Sequence, residues 1–318
     1  MTEAKKKKPA RELISIIIPC YNEEEVIEQC HSAVTEVIDA LPYDFEIIYI
    51  NDGSRDNTRS MLDALHKKDK RAKIFHLSRN FGKEAAMTAG LDHAKGDAVI
   101  ILDADLQDPP HLIPEMLRLW KEEKADVVYG QRLRRQGETW LKRKTARAFY
   151  KIINFISAID IPVNTGDFRL MNRRALDALL KLRENHRFMK GLFAWIGFRQ
   201  IALHYNREPR AAGTTKWNYI KLWNLALEGI TGFSITPLRI ASMFGFLISL
   251  FAFAFGIFII LHTLISSHDL PGYPSLMVMV TFLSGIQLLT IGILGEYIGR
   301  IFGETKKRPL YFIDETLE

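Results

Sequence analysis

Only two cysteines occur in 318 residues, Cys20 and Cys30. They can build neither a disulfide framework nor a cysteine metal site, so a reducing compartment is the simplest reading. Two phosphate-binding signatures are also missing. The chain has no G-x-x-x-x-G-K-[ST] loop and no G-x-G-x-x-G turn after a strand, which removes support for P-loop and dinucleotide readings. Any diphosphate must then rest on a metal ion and basic side chains. Nor does the N-terminus read as a cleavable signal. Its apolar run Leu13–Pro19 is short and leads into Cys20-Tyr21-Asn22-Glu23, which suits a buried strand better.

Charge is scarce in one region only. Ile240–Ile265 is a run of 26 residues without Asp, Glu, Lys or Arg, and Ser275–Gly295 is a second such run of 21. About 20 helical residues, rising 1.5 Å each, cross a hydrocarbon layer of roughly 30 Å. The Pro/Gly-punctuated stretch His268–Pro274 lies between them, so the pair reads as a membrane hairpin spanning about 240–265 and 275–297. Two buried core helices are the alternative. Arg239 precedes the first span, Arg300 and Lys306–Arg308 follow the second, and the connecting loop has no Lys or Arg. The positive-inside rule then places both termini and the large domain in the cytoplasm. Trp217, Tyr219 and Trp223 suit interfacial helices over 213–238, although packing against the soluble domain would give the same pattern. The expected organisation is a catalytic domain over 1–212, the interfacial segment, the hairpin over 239–303 and a cytoplasmic tail over 304–318. Small glycines in the hairpin would also allow copies to pack into a homo-oligomer.

The chain carries 43 Lys and Arg against 37 Asp and Glu, a net charge of +6. The excess collects in Lys5–Lys8, in the Arg132–Arg147 region and in Lys306–Arg308. Beside a membrane hairpin, such runs favour anionic lipid and phosphate over nucleic acid.

Before the hairpin, short β-rich runs alternate with helical ones. Strands are expected over Leu13–Pro19, Phe45–Asn51, Lys73–Ser78, Ala98–Asp103 and Asp126–Gly130, with helices over Glu23–Leu41, Asp56–Lys68, Lys83–His93 and His111–Glu123. This alternation predicts an α/β fold with a mostly parallel sheet and helices on both faces. Ligands of such sheets gather beyond the carboxyl ends of the strands. Here those ends read Tyr21-Asn22-Glu23, Asn51-Asp52-Gly53-Ser54, Ser78-Arg79-Asn80 and Asp103-Ala104-Asp105-Leu106-Gln107-Asp108. Asp103 and Asp105 can aim at one hard cation, Mg²⁺ or Mn²⁺, with Gln107 as a further oxygen donor. A solvated turn with incidental acids is the plainer reading of that cluster alone.

Together these residues are similar to a known family. Ser15–Glu23, Asp52-Gly53-Ser54 and Asp103–Asp108 resemble the family 2 glycosyltransferases with the Rossmann-like GT-A fold, and among them the polyisoprenyl-phosphate glycosyltransferases related to dolichol-phosphate mannose synthase. Asn80-Phe81-Gly82-Lys83-Glu84 and the terminal hairpin resemble the bacterial polyprenyl-phosphate glucosyltransferases. The resemblance implies transfer of a hexose, glucose from UDP-glucose first among the donors, to a polyprenyl phosphate, with inversion and a divalent metal. It places Pro19, Tyr21, Glu23 and Asp52 around the nucleoside, with Arg79 and Lys83 also on the nucleotide-sugar side. It places Asp103 near ribose and diphosphate, with Asp105 and Gln107 on the metal.

Asn164–Leu170, containing Asp167 and Arg169, resembles the family's acceptor-side segment, and Arg207 with Gly213-Thr214-Thr215-Lys216 its late basic motif near the lipid phosphate. Arg132, Arg169, Arg207, Thr215 and Lys216 are accordingly expected on the acceptor phosphate. A phosphate monoester already carries about −1.5 to −2 charges at pH 7, so the nucleophile hardly needs a base. Asp167 is then expected to orient a substrate rather than to take a proton. Other donors, such as GDP-mannose or UDP-GlcNAc, stay open, and so does a membrane-bound phosphohydrolase using Asp103 and Asp105. A processive polysaccharide synthase would want a Gln-x-x-Arg-Trp motif, and the chain contains no Arg-Trp dipeptide.

Overall fold

Strand β1 (Leu13–Cys20) is apolar along nearly its whole length, with four isoleucines among its eight residues, the composition of a strand covered on both faces. Its neighbours confirm that position. In the computed structural model, which describes residues 11–133, 161–162, 164–206, 231–232, 234–266 and 272–318, β1 pairs in parallel with β2 (Asp44–Asn51) on one side and β4 (Ala98–Ile101) on the other. The remaining strands are β3 (Ala72–Leu77), β5 (Val127–Arg132), β6 (Thr165–Asn172), β7 (Gln200–Tyr205) and β8 (Ile313–Leu317). They form one sheet in the order β7-β5-β6-β4-β1-β2-β3-β8.

Side-chain alternation along β1 divides the core in two. Ile14, Ile16 and Ile18 face α1 (Ile27–Ile38), α2 (Thr58–Lys68) and α4 (Ile113–Glu122), burying Val34, Leu62 and Met116. Ile17, Ile48 and Ile50 face α3 (Lys83–His93), α5 (Arg173–Leu179) and α6 (Met189–Trp195), burying Met87, Leu176 and Leu192. Each such side chain contributes about 1.5–3 kcal/mol on burial. Core histidines fit the same scheme. His76 is fully buried between Asn51 (2.9 Å) and Asp63 (2.9 Å), a structural role.

The five strands expected from sequence are present with ends shifted by one or two residues, and the helix Lys83–His93 coincides with α3. The sheet is mixed, four of its pairings being parallel and three antiparallel. The antiparallel member at the centre is β6, inserted between β4 and β5, where its polar start hides the strand from a periodicity reading. At the edge, β8 pairs antiparallel with β3. Residues 313–317 of the expected tail are therefore part of the sheet. Asp314-Glu315-Thr316 reads as solvated sequence, and the pairing comes instead from the open backbone of β3.

Helices α7 (Thr236–Ser266) and α8 (Tyr273–Thr305) extend both expected spans. Their apolar side chains point outward, Phe253 and Leu288 each being 70% exposed. That removes the core-helix alternative and leaves surfaces suited to lipid. At 33 residues α8 is about 50 Å long and outruns the hydrocarbon layer. Its far end meets the catalytic domain, where Glu304 accepts a hydrogen bond from the Asn185 amide (2.8 Å).

Candidate active site

The ends of β1 to β4 converge through backbone geometry that their sequences dictate. After β1, Asn22 adopts a left-handed backbone (φ 54°), and after β2, Gly53 does the same (φ 62°). These turns lock to each other. The Asn22 amide donates to Ser54 Oγ (3.0 Å), Asn22 Oδ1 accepts from the Arg55 amide (2.8 Å), and the Glu23 amide donates to Thr58 Oγ1 (2.8 Å). Asp52 then fixes the third strand end. Its carboxylate, 2% exposed, accepts from the Phe81 amide (2.7 Å) and the Gly82 amide (2.9 Å), while its carbonyl accepts from Asn80 Nδ2 (3.2 Å). Asp52 thus shapes the 78–82 loop, over which the Arg79 guanidinium lies 4.1 Å from the Phe81 ring centre. Burial raises the Asp52 pKa against the pull of those two amides.

In Asp52→Asn an amide NH₂ must face one of the two backbone N–H groups. The expected cost is about 1–3 kcal/mol with weakened nucleotide binding, read by thermal melting and by UDP titration.

The fourth strand end holds the charged centre. Lys83, first residue of α3, places Nζ 2.6 Å from Asp103 and 2.6 Å from Asp167, bridging the end of β4 to the start of β6. Burial and the Asp167 carboxylate raise the Asp103 pKa in spite of Lys83, although Lys83 lies between them. For Asp167 burial is outweighed by Lys83 and then Lys190, so its carboxyl is held well below the usual range. Lys83 in turn stays protonated far above neutrality, because the two carboxylates outweigh its own desolvation. Beside this bridge, Leu106 takes a left-handed turn (φ 54°) and the Gln107 amide donates to Asp105 Oδ1 (3.2 Å), a tight loop that carries Asp105 and Gln107 together.

The expected phosphate-binding arginines have internal partners. Arg132 donates to Asp108 (3.2 Å) and to Tyr205 Oη (3.1 Å), and the Tyr205 hydroxyl donates to Asp108. Gly166 makes room for this triad, since a Cβ there would lie 2.6 Å from Arg132 Nη2. Arg169 is 3% exposed, donates to the carbonyls of Gly166 (3.0 Å) and Asp167 (3.3 Å), and stacks 3.4 Å over Phe193. Burial lowers its pKa to about 10. Both arginines, as found, brace the segment that presents Asp167. Pro19, Tyr21 and Glu23 are half-buried at the rim, and Arg79 is exposed. Arg207, Thr215 and Lys216, and the interfacial segment over 213–230, lie outside the described residues.

Sequence reasoning missed Glu84. Its Oε2 is buried with no hydrogen-bond partner among the described residues, and its pKa is pushed up to about 8 by burial and by Asp167. The charges of Lys83, Lys190 and Arg187 pull in the opposite direction. Only the adjacent Lys83-Glu84 pair in the sequence hinted at it.

A Rossmann-like sheet whose carboxyl edge gathers acids around one lysine, continued by an apolar helix pair, defines a membrane-associated glycosyltransferase. The chain belongs to glycosyltransferase family 2: residues 15–180 match Glycosyl transferase family 2, and residues 236–301 match the GtrB C-terminal hairpin. It is 51% identical over 302 residues to the uncharacterized glycosyltransferase sll0501 of Synechocystis, covering 95% of each chain. It is 47% identical over 303 residues to the SfII prophage-derived bactoprenol glucosyl transferase of Shigella flexneri, covering 95% of this chain and 98% of that one. Identity to the prophage bactoprenol glucosyl transferase homolog of Escherichia coli is 48% over 300 residues, covering 94% and 98%.

Proposed function

We propose that this glycosyltransferase moves glucose from UDP-glucose to the phosphate of a polyprenyl lipid, with inversion, at the cytoplasmic face of a membrane. One observation carries the reading: the Asp103–Lys83–Asp167 bridge stands beside Asp105 at the carboxyl edge of the sheet, in a chain that runs on into two exposed apolar helices. Relatives named bactoprenol glucosyl transferases support the choice of sugar and of lipid. The flanking cations Arg239, Arg300 and Lys306–Arg308 support the cytoplasmic placement.

Pro19, Tyr21, Glu23 and Arg79 frame the nucleoside, with Asp52 setting the loop beneath it. The hard oxygens of Asp103, Asp105 and Gln107 fit Mg²⁺ or Mn²⁺, which take one or two carboxylates and complete their shell with water and substrate phosphates. Asp105 and Gln107 already share one turn, whereas Asp103 is engaged by Lys83. A bound cation would supply neutralisation of charge on the departing diphosphate. Lys83, protonated and 45% exposed, can exchange a carboxylate for a diphosphate oxygen as the donor enters. Asp167, ionised throughout, orients the acceptor or the sugar. The lipid phosphate is its own nucleophile. Arg169 and Arg132 hold the Asp167 segment in place, and Arg207, Thr215 and Lys216 complete the acceptor side.

The test uses detergent-purified full-length enzyme, a polyprenyl phosphate, Mg²⁺ or Mn²⁺ and a panel of labelled UDP- and GDP-sugars. Metal-dependent transfer of glucose into the organic phase is expected, falling by about 10²-fold or more in Asp105→Ala. Transfer from another donor would overturn the sugar assignment. Release of free sugar without a lipid product would overturn the transferase reading in favour of hydrolysis.

A further inference from the structure

The chain that leaves α8 turns at Lys307 (φ 47°) and folds back onto the catalytic domain. The Tyr311 hydroxyl donates to Asp92 (2.8 Å), a carboxylate that Arg183 also holds from two nitrogens (2.7 and 2.9 Å). The Phe312 carbonyl accepts from the Ser78 amide (3.0 Å), and β8 then pairs with β3, anchored by Arg59 on Glu315 (2.6 Å) and Asp314 (3.3 Å). Phe312 is thereby set against the very loop that Asp52 shapes. Its ring centre is 6.3 Å from that of Phe81, whose other partner is the Arg79 guanidinium.

Two supports therefore hold the 78–82 loop. Asp52 holds it from the sheet side through the Phe81 and Gly82 amides, and Phe312 holds it from the side of the C-terminal strap. A strap whose only task was to close the sheet edge would need β8 and Arg59. It would not need a large aromatic at the strand's start, 56% exposed, resting on a ligand-facing loop. Thr305, the last residue of α8, precedes Phe312 by seven positions, so the leash is at most about 25 Å long. The membrane helix and the donor loop are tied through one short segment.

We propose that Phe312 is a positioning residue for the nucleotide-sugar site, and that the strap 306–317 couples the end of α8 to the loop on which the nucleoside of the donor rests. This builds on the reading of that loop as the donor's. An aromatic pair contributes about 0.5–1.5 kcal/mol beyond its buried area. Full-length Phe312→Ala should therefore raise the donor KM, and the Kd of UDP, by about 3- to 10-fold. Its kcat and its KM for polyprenyl phosphate should stay within about twofold, because the interaction lost is uniform binding. Phe312→Tyr should restore both donor constants. Arg59→Ala removes only exposed ion pairs of β8 and leaves its backbone pairing with β3 and the Ser78–Phe312 bond in place, so Phe312 keeps its seat. The donor KM should be unchanged and the melting temperature only slightly lowered.

Phe312→Ala with unaltered donor KM and UDP affinity overturns the proposal, and so does an equal rise in the KM of both substrates. If Asp52→Asn and Arg79→Ala also leave UDP affinity unaltered, the loop does not hold the donor and the site reading fails with it. If those two weaken UDP while Phe312→Ala does not, the site reading stands and the strap is only a staple.

Discussion

Replacing Lys83 by methionine is expected to lower the rate of sugar transfer about 10²- to 10³-fold, the loss usual for removing one preorganised electrostatic partner. The ammonium lies 2.6 Å from one carboxylate just past the end of β4 and 2.6 Å from another on β6, so it fixes their spacing as well as their charge. Methionine keeps the stem and its packing while leaving Asp103 and Asp167 facing each other across the gap. Like carboxylates in one site share a proton and titrate as a pair. In the wild type, Lys83 is the largest of the groups holding the Asp167 carboxyl below its ordinary range. A depressed carboxyl stabilises the fold above its unfolded pKa, near 4, and that contribution is lost as pH falls through the lower folded value. Without Lys83 the depression shrinks, so the Asp167-linked loss of stability on acidification should be smaller and should be complete at a higher pH. Melting temperature against pH, together with transfer assays on the same preparations, reads both effects. Arginine at this position would restore charge without the compact geometry, so Lys83→Arg should recover stability more fully than activity.

Much of this site is legible in the sequence because its chemistry lies at strand ends, where a change from apolar run to polar cluster is visible one residue at a time. Ile16–Ile18 running into Tyr21-Asn22-Glu23, and Val99–Leu102 running into Asp103 and Asp105, need no knowledge of distant partners. What stays hidden depends on pairing across the chain. The sequence places Asp108 at the end of the polar cluster that follows the fourth expected strand. It does not show that Asp108 meets Arg132 and Tyr205, respectively 24 and 97 residues later. Arg132 and Arg169 read as free phosphate ligands because a guanidinium's partner cannot be found among its sequence neighbours. The strand β8 is invisible for a related reason. Its residues are ordinary surface residues, and its conformation is imposed by the unpaired edge of β3, about 240 residues earlier.

Gly53→Ala should be among the most damaging single-methyl changes in the protein, and the reason is local. Gly53 sits at φ 62°, where an L-residue costs about 1–2 kcal/mol. A Cβ there would stand 2.5 Å from both the Arg79 carbonyl carbon and the Asn80 nitrogen, backbone atoms that no rotamer change can move. Relief must come from shifting the 78–82 loop, adding a packing cost of about 1–3 kcal/mol. The sum, about 2–5 kcal/mol, is a large share of the 5–15 kcal/mol that holds a domain folded. The same shift strains the two amide bonds to Asp52 and pulls Phe81 from Phe312. Both a lower melting temperature and a raised donor KM are therefore expected. Gly82→Ala separates the causes: its φ of 98° is also unfavourable, but a Cβ there meets nothing within 4 Å. If Gly53→Ala proves markedly worse than Gly82→Ala in both readouts, the close approach of the β2 turn to the loop is what the glycine serves. Equal effects would assign the cost to backbone strain alone and leave the contact between the two strand ends without energetic weight.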